Sequence, residues 1–316
     1  VHIAQDLDFD VSSPPDKLFD EDFIAAEGVL GFALGRFQRR GKRIDRIDDA
    51  HPAPSTFQLA ANRLGWRLEE VHCLGLHAAP FARLRPVLGR GVRVICTLRD
   101  GAAVGDLARW LAANGHPNAS LTVLERLGGP RERISHGLPT DPIGAPVSAA
   151  IEATDPGLPR ASGLPDDLFQ HDGQITKRPV RALTLSALAP RHGDLLWDIG
   201  AGSGSIGIEW LLAGGAKVAA LEADPTRAAR ARGNVDAFGL SHRHHLTEAR
   251  APEGLADLPT PDAVFIGGGA SDALLAAVWD LIPPGTRLVM NAVTLETEAL
   301  VLDWSARHGG NLLKIE

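Results

Sequence analysis

Three glycines at alternate positions, and an acid some twenty residues beyond them, are the residues whose spacing first points to chemistry. Asp198-Ile199-Gly200-Ala201-Gly202-Ser203-Gly204-Ser205 follows the apolar run Leu195-Leu196-Trp197. It precedes Ile206-Gly207-Ile208-Glu209-Trp210-Leu211-Leu212, whose apolar residues recur at helical spacing. The order is strand, glycine turn, helix. Glycines without Cβ let a ligand lie against the backbone, and the amides that open the helix offer a place for a carboxylate or phosphate. Glu222 closes a second apolar run, Lys217 to Leu221, where a strand-end carboxylate suits the two hydroxyls of a ribose. A dinucleotide fingerprint needs its third glycine one place later, where this chain has Ser205. Spacing alone therefore leaves three readings: a nucleoside cofactor, a nicotinamide, or an ordinary strand-to-helix turn.

Further candidates lie where other elements should meet this turn. Gln174-Ile175-Thr176-Lys177 precedes a helix expected over Pro179 to Leu188, with Thr176 as its cap and Pro179 in its first turn. That helix delivers the chain to the Gly200 strand, so Gln174 and Thr176 are expected above the glycine turn. Lys177 and Arg178 read equally as ligand-binding cations or as a solvated pair. Asp198, Gly200, Ala201, Gly202, Ser203 and Gly204 complete the expected cofactor set on the turn. Glu248 and Ala249 fall at a third strand end, the level at which adenines sit in such sheets. The run Ala263 to Ile266 is a fourth strand, and Gly267-Gly268-Gly269 after it is an open floor at the ligand-binding edge. A fifth strand, Arg287 to Met290, ends at Asn291, a candidate for facing the substrate. Arg227, Arg230 and Arg232 are expected on the wet face of a helix from Thr226 to Phe238. His242, His244 and His245 are expected in the loop after it, without the cysteines or helical spacing of a metal site, so no metal is expected.

The rest of the chain must supply the scaffold. Its 316 residues favour two domains, and 44% hydrophobic content supports full cores. A helix from Thr56 to Leu64 stopped by Gly65, strands near Val71, Val92 and Leu121, and helices from Phe81 to Leu88 and Ala102 to Ala113 form an alternating α/β pattern. Prolines 142, 146, 156, 159 and 165 mark a boundary, set near residue 155. The expected domains are 1–155 and 156–316. Within the first, residues 1–50 hold an acidic stretch, a glycine-interrupted helix from Phe23 to Phe37 and a mixed-charge run from Gln38 to Asp49. A net charge of -7 implies no broad polyanion-binding surface, so nucleic acid is not an expected partner. No apolar run approaches the roughly 20 residues that span a bilayer, no secretory signal is visible, and the two cysteines form no C-x-x-C pair. A cytoplasmic location, no membrane partner and a homo-oligomer are expected. Met290 is the only methionine and the chain begins at Val1, so the sequence is expected to be trimmed at its ends.

Three resemblances sharpen these expectations. The G-x-G-x-G turn after Asp198 resembles motif I of class I S-adenosyl-L-methionine (SAM) methyltransferases, which implies a doubly wound, Rossmann-like sheet and SAM as cofactor. Pro52-Ala53-Pro54-Ser55-Thr56, Ala60 to Trp66 and Leu124 to Pro130 resemble the C-terminal lobe of tetrapyrrole methylases, which implies a smaller α/β lobe ahead of that sheet. The strand with glycine-rich turn that opens the first lobe of that family is not found in residues 1–50. Taken with His171 to Lys177, Trp197 to Ile208, Phe265 to Gly269 and Asn291 to Glu296, the assembly resembles the decarboxylating precorrin C5,15-methyltransferases of cobalamin biosynthesis.

That resemblance implies methylation of an acidic tetrapyrrole at C5 and C15 with loss of CO₂ from the C12 acetate, giving precorrin-8X. The C-terminal domain would perform the C15 and decarboxylation steps. By position, Thr176 and Gly200 to Gly204 would meet the methionine part of SAM, Glu222 the ribose, and Glu248 and Ala249 the adenine. Lys177, Arg178 and Arg181 would grip the acidic substrate, and Gly267, Gly268 and Asn291 would face it. Open alternatives are C15 chemistry alone, with the N-terminal part a non-catalytic binding module, or a SAM methyltransferase for RNA or a small metabolite.

Overall fold

The computed structural model describes residues 2–5 and 53–315. The readings made for 6–52, including the helix from Phe23 and the mixed-charge run, lie outside the described residues. β1 (His2–Gln5) is followed by α1 (Thr56–Leu64), β2 (Val71–Gly75), β3 (Arg93–Leu98), α2 (Ala102–Ala113), β4 (Ser120–Glu125), β5 (Arg133–His136) and β6 (Val147–Glu152). Then come α3 (Arg178–Leu188), β7 (Leu195–Ile199), α4 (Ser205–Leu212), β8 (Lys217–Glu222), α5 (Pro225–Ala237), β9 (His244–Glu248), β10 (Ala263–Ile266), α6 (Asp272–Leu281), β11 (Arg287–Ala292), α7 (Leu295–His308) and β12 (Asn311–Lys314). Two compact units divide between 157 and 158, and β1 goes with the second. The expected domain 1–155 therefore does not hold as one continuous segment, because β1 pairs antiparallel with both β11 and β12.

The first unit is a five-stranded sheet in the order β2-β3-β6-β4-β5. Its central strand, β6, falls inside the stretch that the prolines mark as a boundary. Pro142 and Pro146 before it and Pro156 after it bracket a short run that is buried along nearly its whole length. The run Val-Ser-Ala-Ala-Ile-Glu carries only two β-branched residues, too weak a strand pattern to show through its flanks. The helix expected from Phe81 to Leu88 is a single 3-10 turn, Phe81–Leu84.

In the second unit the order is β12-β1-β11-β10-β7-β8-β9, with β11, β10, β7, β8 and β9 all parallel. Successive residues of β7 feed opposite faces, as strand geometry requires: Leu196 packs with Ile206, Trp210 and Phe238, and Trp197 and Ile199 with Leu274, Val278 and Trp304. Ile199 is in register with Ile266, so the glycine segments after β7 and β10 leave the sheet at one level. α3 runs antiparallel to β11. Arg287 Nε at the start of β11 donates to Leu188 O at the end of α3 (2.7 Å), and Asn291 Nδ2 near the end of β11 donates to Thr184 Oγ1 (3.0 Å). The first turn of α3 thus stands at the C-terminal edge of β11. Among the described residues no helix is long and apolar enough to cross a membrane.

Arg181, expected as a substrate cation, is fully buried. Its Nε donates to Glu209 Oε1 at 2.5 Å and its Nη1 to Asp166 Oδ1 at 2.9 Å, with further bonds to the Thr176 and Leu164 carbonyls. Glu209, also buried, accepts the Gly163 and Leu164 amides. Lys177, the N-cap of α3, is exposed, whereas Arg181 within the helix is buried against α4, where only an internal partner can offset desolvation. The pair ties the segment leading into α3 to α4. Arg181→Met, which leaves Glu209 buried and unpaired, is expected to destabilise the protein by about 3–5 kcal/mol in urea unfolding; a loss under about 1 kcal/mol contradicts this account.

Candidate functional site

A cavity of about 700 Å³ opens at the C-terminal edge of the second sheet, within the roughly 300–1,000 Å³ typical of small-molecule sites. Its floor is made by the two glycine segments. Gly200 has φ +73°, and a Cβ there would come within 2.9 Å of the Gly268 backbone, so only glycine lets the two turns approach this closely. A Cβ on Gly202 would meet nothing nearer than 4.0 Å, which leaves its face open toward the cavity. Glu222 braces the same turn: its Oε2 accepts the Gly202 amide at 2.8 Å and its Oε1 the Asp224 amide at 2.9 Å. Each carboxylate oxygen keeps a second lone pair for a hydroxyl donor.

The structure brings Gln174, Thr176, Lys177, Gly200, Ala201, Gly202 and Ser203 to this cavity. Glu222, Ala249, Gly267, Gly268 and Asn291 line it as well. Four expected residues stand elsewhere. Gly204 caps the start of α4. Arg178 opens α3, exposed and outside the lining. Glu248, expected beside the adenine, is drawn away into an ion pair with Arg232 of α5, and only its neighbour Ala249 reaches the cavity. Asp198 is buried beneath the turn, accepting the Gly207 amide at 3.2 Å. Thr176 is not the cap of α3: Lys177 takes that position without a side-chain bond, and the Thr176 carbonyl is held by Arg181.

The segment over the turn is fastened by residues whose part was not expected. Asn234 of α5 accepts the Gln170 amide and donates to the carbonyls of Gln170 and Ser203, all at 2.8–2.9 Å. Arg227 donates to Asp172 at 3.1 Å and to Gln174 Oε1 at 2.5 Å, and Arg230 reaches Asp172 at 2.9 Å. Hydrogen bonding from the Gln174 amide, then from Arg230, holds the Asp172 carboxyl down to about 2. Arg227 and Arg230 are therefore not simply a wet helix face; the first turn of α5 points back at 172–174, and Arg227 also lines the cavity. Arg250 and Val293 line it too; Val293 falls within the Asn291 to Glu296 run that carries the resemblance, whereas Arg250 has no local pattern that separates it from an ordinary loop residue.

Beneath the floor lie two buried groups with opposite leanings. Burial, with the Glu222 charge in support, pushes Asp198 up to about 7 against the pull of the Gly207 amide. Burial and the His245 charge bring His244 down to about 4. Both flank Gly207, where a Cβ would meet His244 Nε2 at 2.7 Å and Asp198 Oδ2 at 3.2 Å. His244 and His245 thus lie on β9 and not in a loop.

Comparison with known proteins places this geometry in context. Residues 167–316 match the family described as precorrin methyltransferase domain. A precorrin-6Y C(5,15)-methyltransferase [decarboxylating] of Sinorhizobium sp is 49% identical over 277 residues, covering 84% of this chain and 66% of that protein. The enzyme of that name from Mycobacterium tuberculosis (strain ATCC 25618 / H37Rv) is 38% identical over 276 residues, covering 84% of this chain and 68% of that one. The chain thus spans about two thirds of the length of these relatives. The crystal structure of the C-terminal domain of precorrin-6Y C5,15-methyltransferase from Rhodobacter capsulatus is 54% identical, with a TM-score of 0.49, covering 50% of this chain and 86% of that one.

The two buried groups predict opposing pH slopes. Between pH 3.8 and about 7 the unfolded chain has released the Asp198 proton while the folded chain retains it, so rising pH lowers stability. Between pH 6.5 and about 4 the unfolded chain holds a His244 proton that the folded chain lacks, so falling pH lowers stability. His244→Gln should leave the first slope exposed and Asp198→Asn the second, each up to about 1.4 kcal/mol per pH unit relative to wild type. Urea unfolding across pH 4–7 measures both; parallel profiles for the two variants refute the assignment.

Proposed function

This chain belongs to the precorrin-6Y C(5,15)-methyltransferase (decarboxylating) family, and on that premise we propose that it transfers methyl groups from SAM to C5 and C15 of a precorrin with loss of CO₂ from the C12 acetate. The cavity at the glycine turn is the site of the C15 and decarboxylation steps. The observation that carries this is Glu222 bound to the Gly202 amide beside an open glycine face, since it offers a nucleoside both a backbone surface and a carboxylate with lone pairs to spare. No nucleic acid or membrane enters the reaction, and the acceptor is an acidic tetrapyrrole. A homo-oligomer in the cytoplasm is the setting we propose.

The residues present fit SAM. Glu222 would accept the ribose hydroxyls, Gly200 to Ser203 would lie along the methionine part, and Ala249 would border the adenine. When bound, SAM supplies an electrophilic methyl group on a sulfonium. The protein's share is position and environment. Ile199, Leu221, Phe265 and Leu274 line the cavity with apolar surface, which limits water around a cation that water would otherwise stabilise. Asn291 is oriented by Thr184 and presents an amide beside the glycine floor. Lys177 lines the cavity and its ammonium has no hydrogen bond or ion pair among the described residues, leaving it available to a substrate carboxylate. The electron pair released as CO₂ departs is taken up by the conjugated macrocycle, so no nucleophilic side chain is required. Fixing the acceptor in line with the donor is the main catalytic contribution open to such a site.

Two measurements test this. Glu222→Ala should weaken SAM binding by about 10–100-fold in calorimetry, the range for a hydrogen bond to a charged group; unchanged affinity rejects the ribose role. Mass spectrometry of precorrin-6Y incubated with SAM and the full chain should show two methyl groups gained and CO₂ lost. A single methyl with CO₂ loss would restrict the chain to C15 chemistry, and no change would reject the acceptor.

A further inference from the structure

Val293, which lines the cavity, and Leu295, two residues further on, are exposed out of keeping with their chemistry. Val293 is 78% and Leu295 81% exposed, whereas the next most exposed large apolar residue among those described, Leu138, is 53%. Val293 lies in the two-residue connection between β11 and α7 and Leu295 is the first residue of α7; Val293 lines the cavity, as do Gly267 and Gly268. The connection is not loose backbone. Thr294 caps α7 through a reciprocal capping box with Thr297, so the two apolar side chains are presented from a fixed turn. Leaving two aliphatic side chains in water has a cost that burial against a partner removes.

The opposite side of the same mouth is charged. Because α3 runs antiparallel to β11, its first turn stands at the edge where β11 ends. α3 packs on the Leu196 face of the sheet and α7 on the Trp197 face, so Lys177, which lines the cavity, and Arg178 next to it, outside the lining, stand across the sheet edge from Val293 and Leu295, and neither cationic side chain has a partner among the described residues. Glu296, next to Leu295, disfavours a second carboxylate on the apolar side. The mouth is thus apolar and acidic on one side and basic on the other, with a side-chain-free floor between them.

We propose that Val293 and Leu295 form a shelf on which the flat face of the tetrapyrrole rests, with its peripheral carboxylates turned toward Lys177 and Arg178. This rests on the methyltransferase reading above and adds the residues that seat the acceptor. A large, flat, apolar ring system edged with carboxylates matches the two sides of the mouth, and Gly267 and Gly268 let it approach the donor without a side chain between. The shelf acts on the acceptor and not on SAM, which separates it from Glu222.

The V293S/L295S variant of the full chain tests this at saturating SAM. Its KM for precorrin-6Y should rise at least about tenfold, the scale of burying one aliphatic side chain. kcat and the SAM Kd from calorimetry should change by less than about threefold, about 0.65 kcal/mol. V293I/L295M, which keeps the apolar surface, should retain the wild-type KM. An unchanged KM in V293S/L295S overturns the shelf, as does a loss of SAM affinity equal to the rise in KM. A changed oligomeric state by light scattering with KM unchanged also overturns it, and assigns the patch to contact between copies. Wild-type chain that binds SAM yet leaves precorrin-6Y unmethylated would instead reject the methyltransferase reading itself, before any variant is compared.

Discussion

Gly200 and Gly268 lie backbone against backbone, and no side chain fits between them. That approach follows from parallel pairing of β7 with β10 in a register that sets Ile199 beside Ile266. Two strands ending at one level bring their following turns into contact, and the contact is possible only with glycine at 200, where a Cβ would meet the Gly268 backbone at 2.9 Å. The result is a floor of bare peptide at the edge of the sheet. Everything assigned to the site stands around it: Glu222 closes one side by holding the Gly202 amide, Asn291 and Val293 follow from β11, and the segment ahead of α3 covers it. A side chain at 200 would push the two turns apart and open the floor.

Charge in the second unit is mostly spent on holding that arrangement. Arg181 ties α3 to α4, Arg287 ties β11 to the end of α3 and to Asp194, and Arg227 and Arg230 fasten the covering segment through Asp172. Arg232 takes up Glu248. Pairing so many guanidinium groups leaves Lys177, Arg178 and Arg250 as the cations at or beside the cavity whose side chains have no partner among the described residues. Selection among basic residues is therefore made by the fold: an arginine with two carboxylates and two carbonyls around it is structural, and a lysine lining the cavity without a partner is available to an acidic ligand.

The apolar mouth and the buried Asp198–His244 neighbourhood show the same division. Asp198 belongs to the glycine motif in sequence, yet its carboxyl is turned under the turn to the Gly207 amide. His244 comes from β9, on the far side of β8, and both residues flank Gly207 only because β7, β8 and β9 lie side by side. Their titration follows from burial and not from contact with a ligand.

By itself the sequence determined the strand-turn-helix at Gly200, the acid at 222, the glycine floor at 267–269 and the parallel α/β character of the second unit. These are short-range properties: alternation, helical period and the absence of a Cβ are written into consecutive residues. Only the tertiary structure decided that Arg181 pairs internally with Glu209, 28 positions away, that Glu248 pairs with Arg232 outside the cavity lining, and that Arg227 lines the cavity. It also decided that β6 enters the middle of the first sheet from a proline-bracketed stretch, and that Val293 and Leu295 remain uncovered. The physical reason is common to all of these. A local pattern tells which side of an element a residue takes, but the role of a charge or an exposed apolar group depends on what another part of the chain brings against it, and desolvation and partnership exist only once the elements have packed.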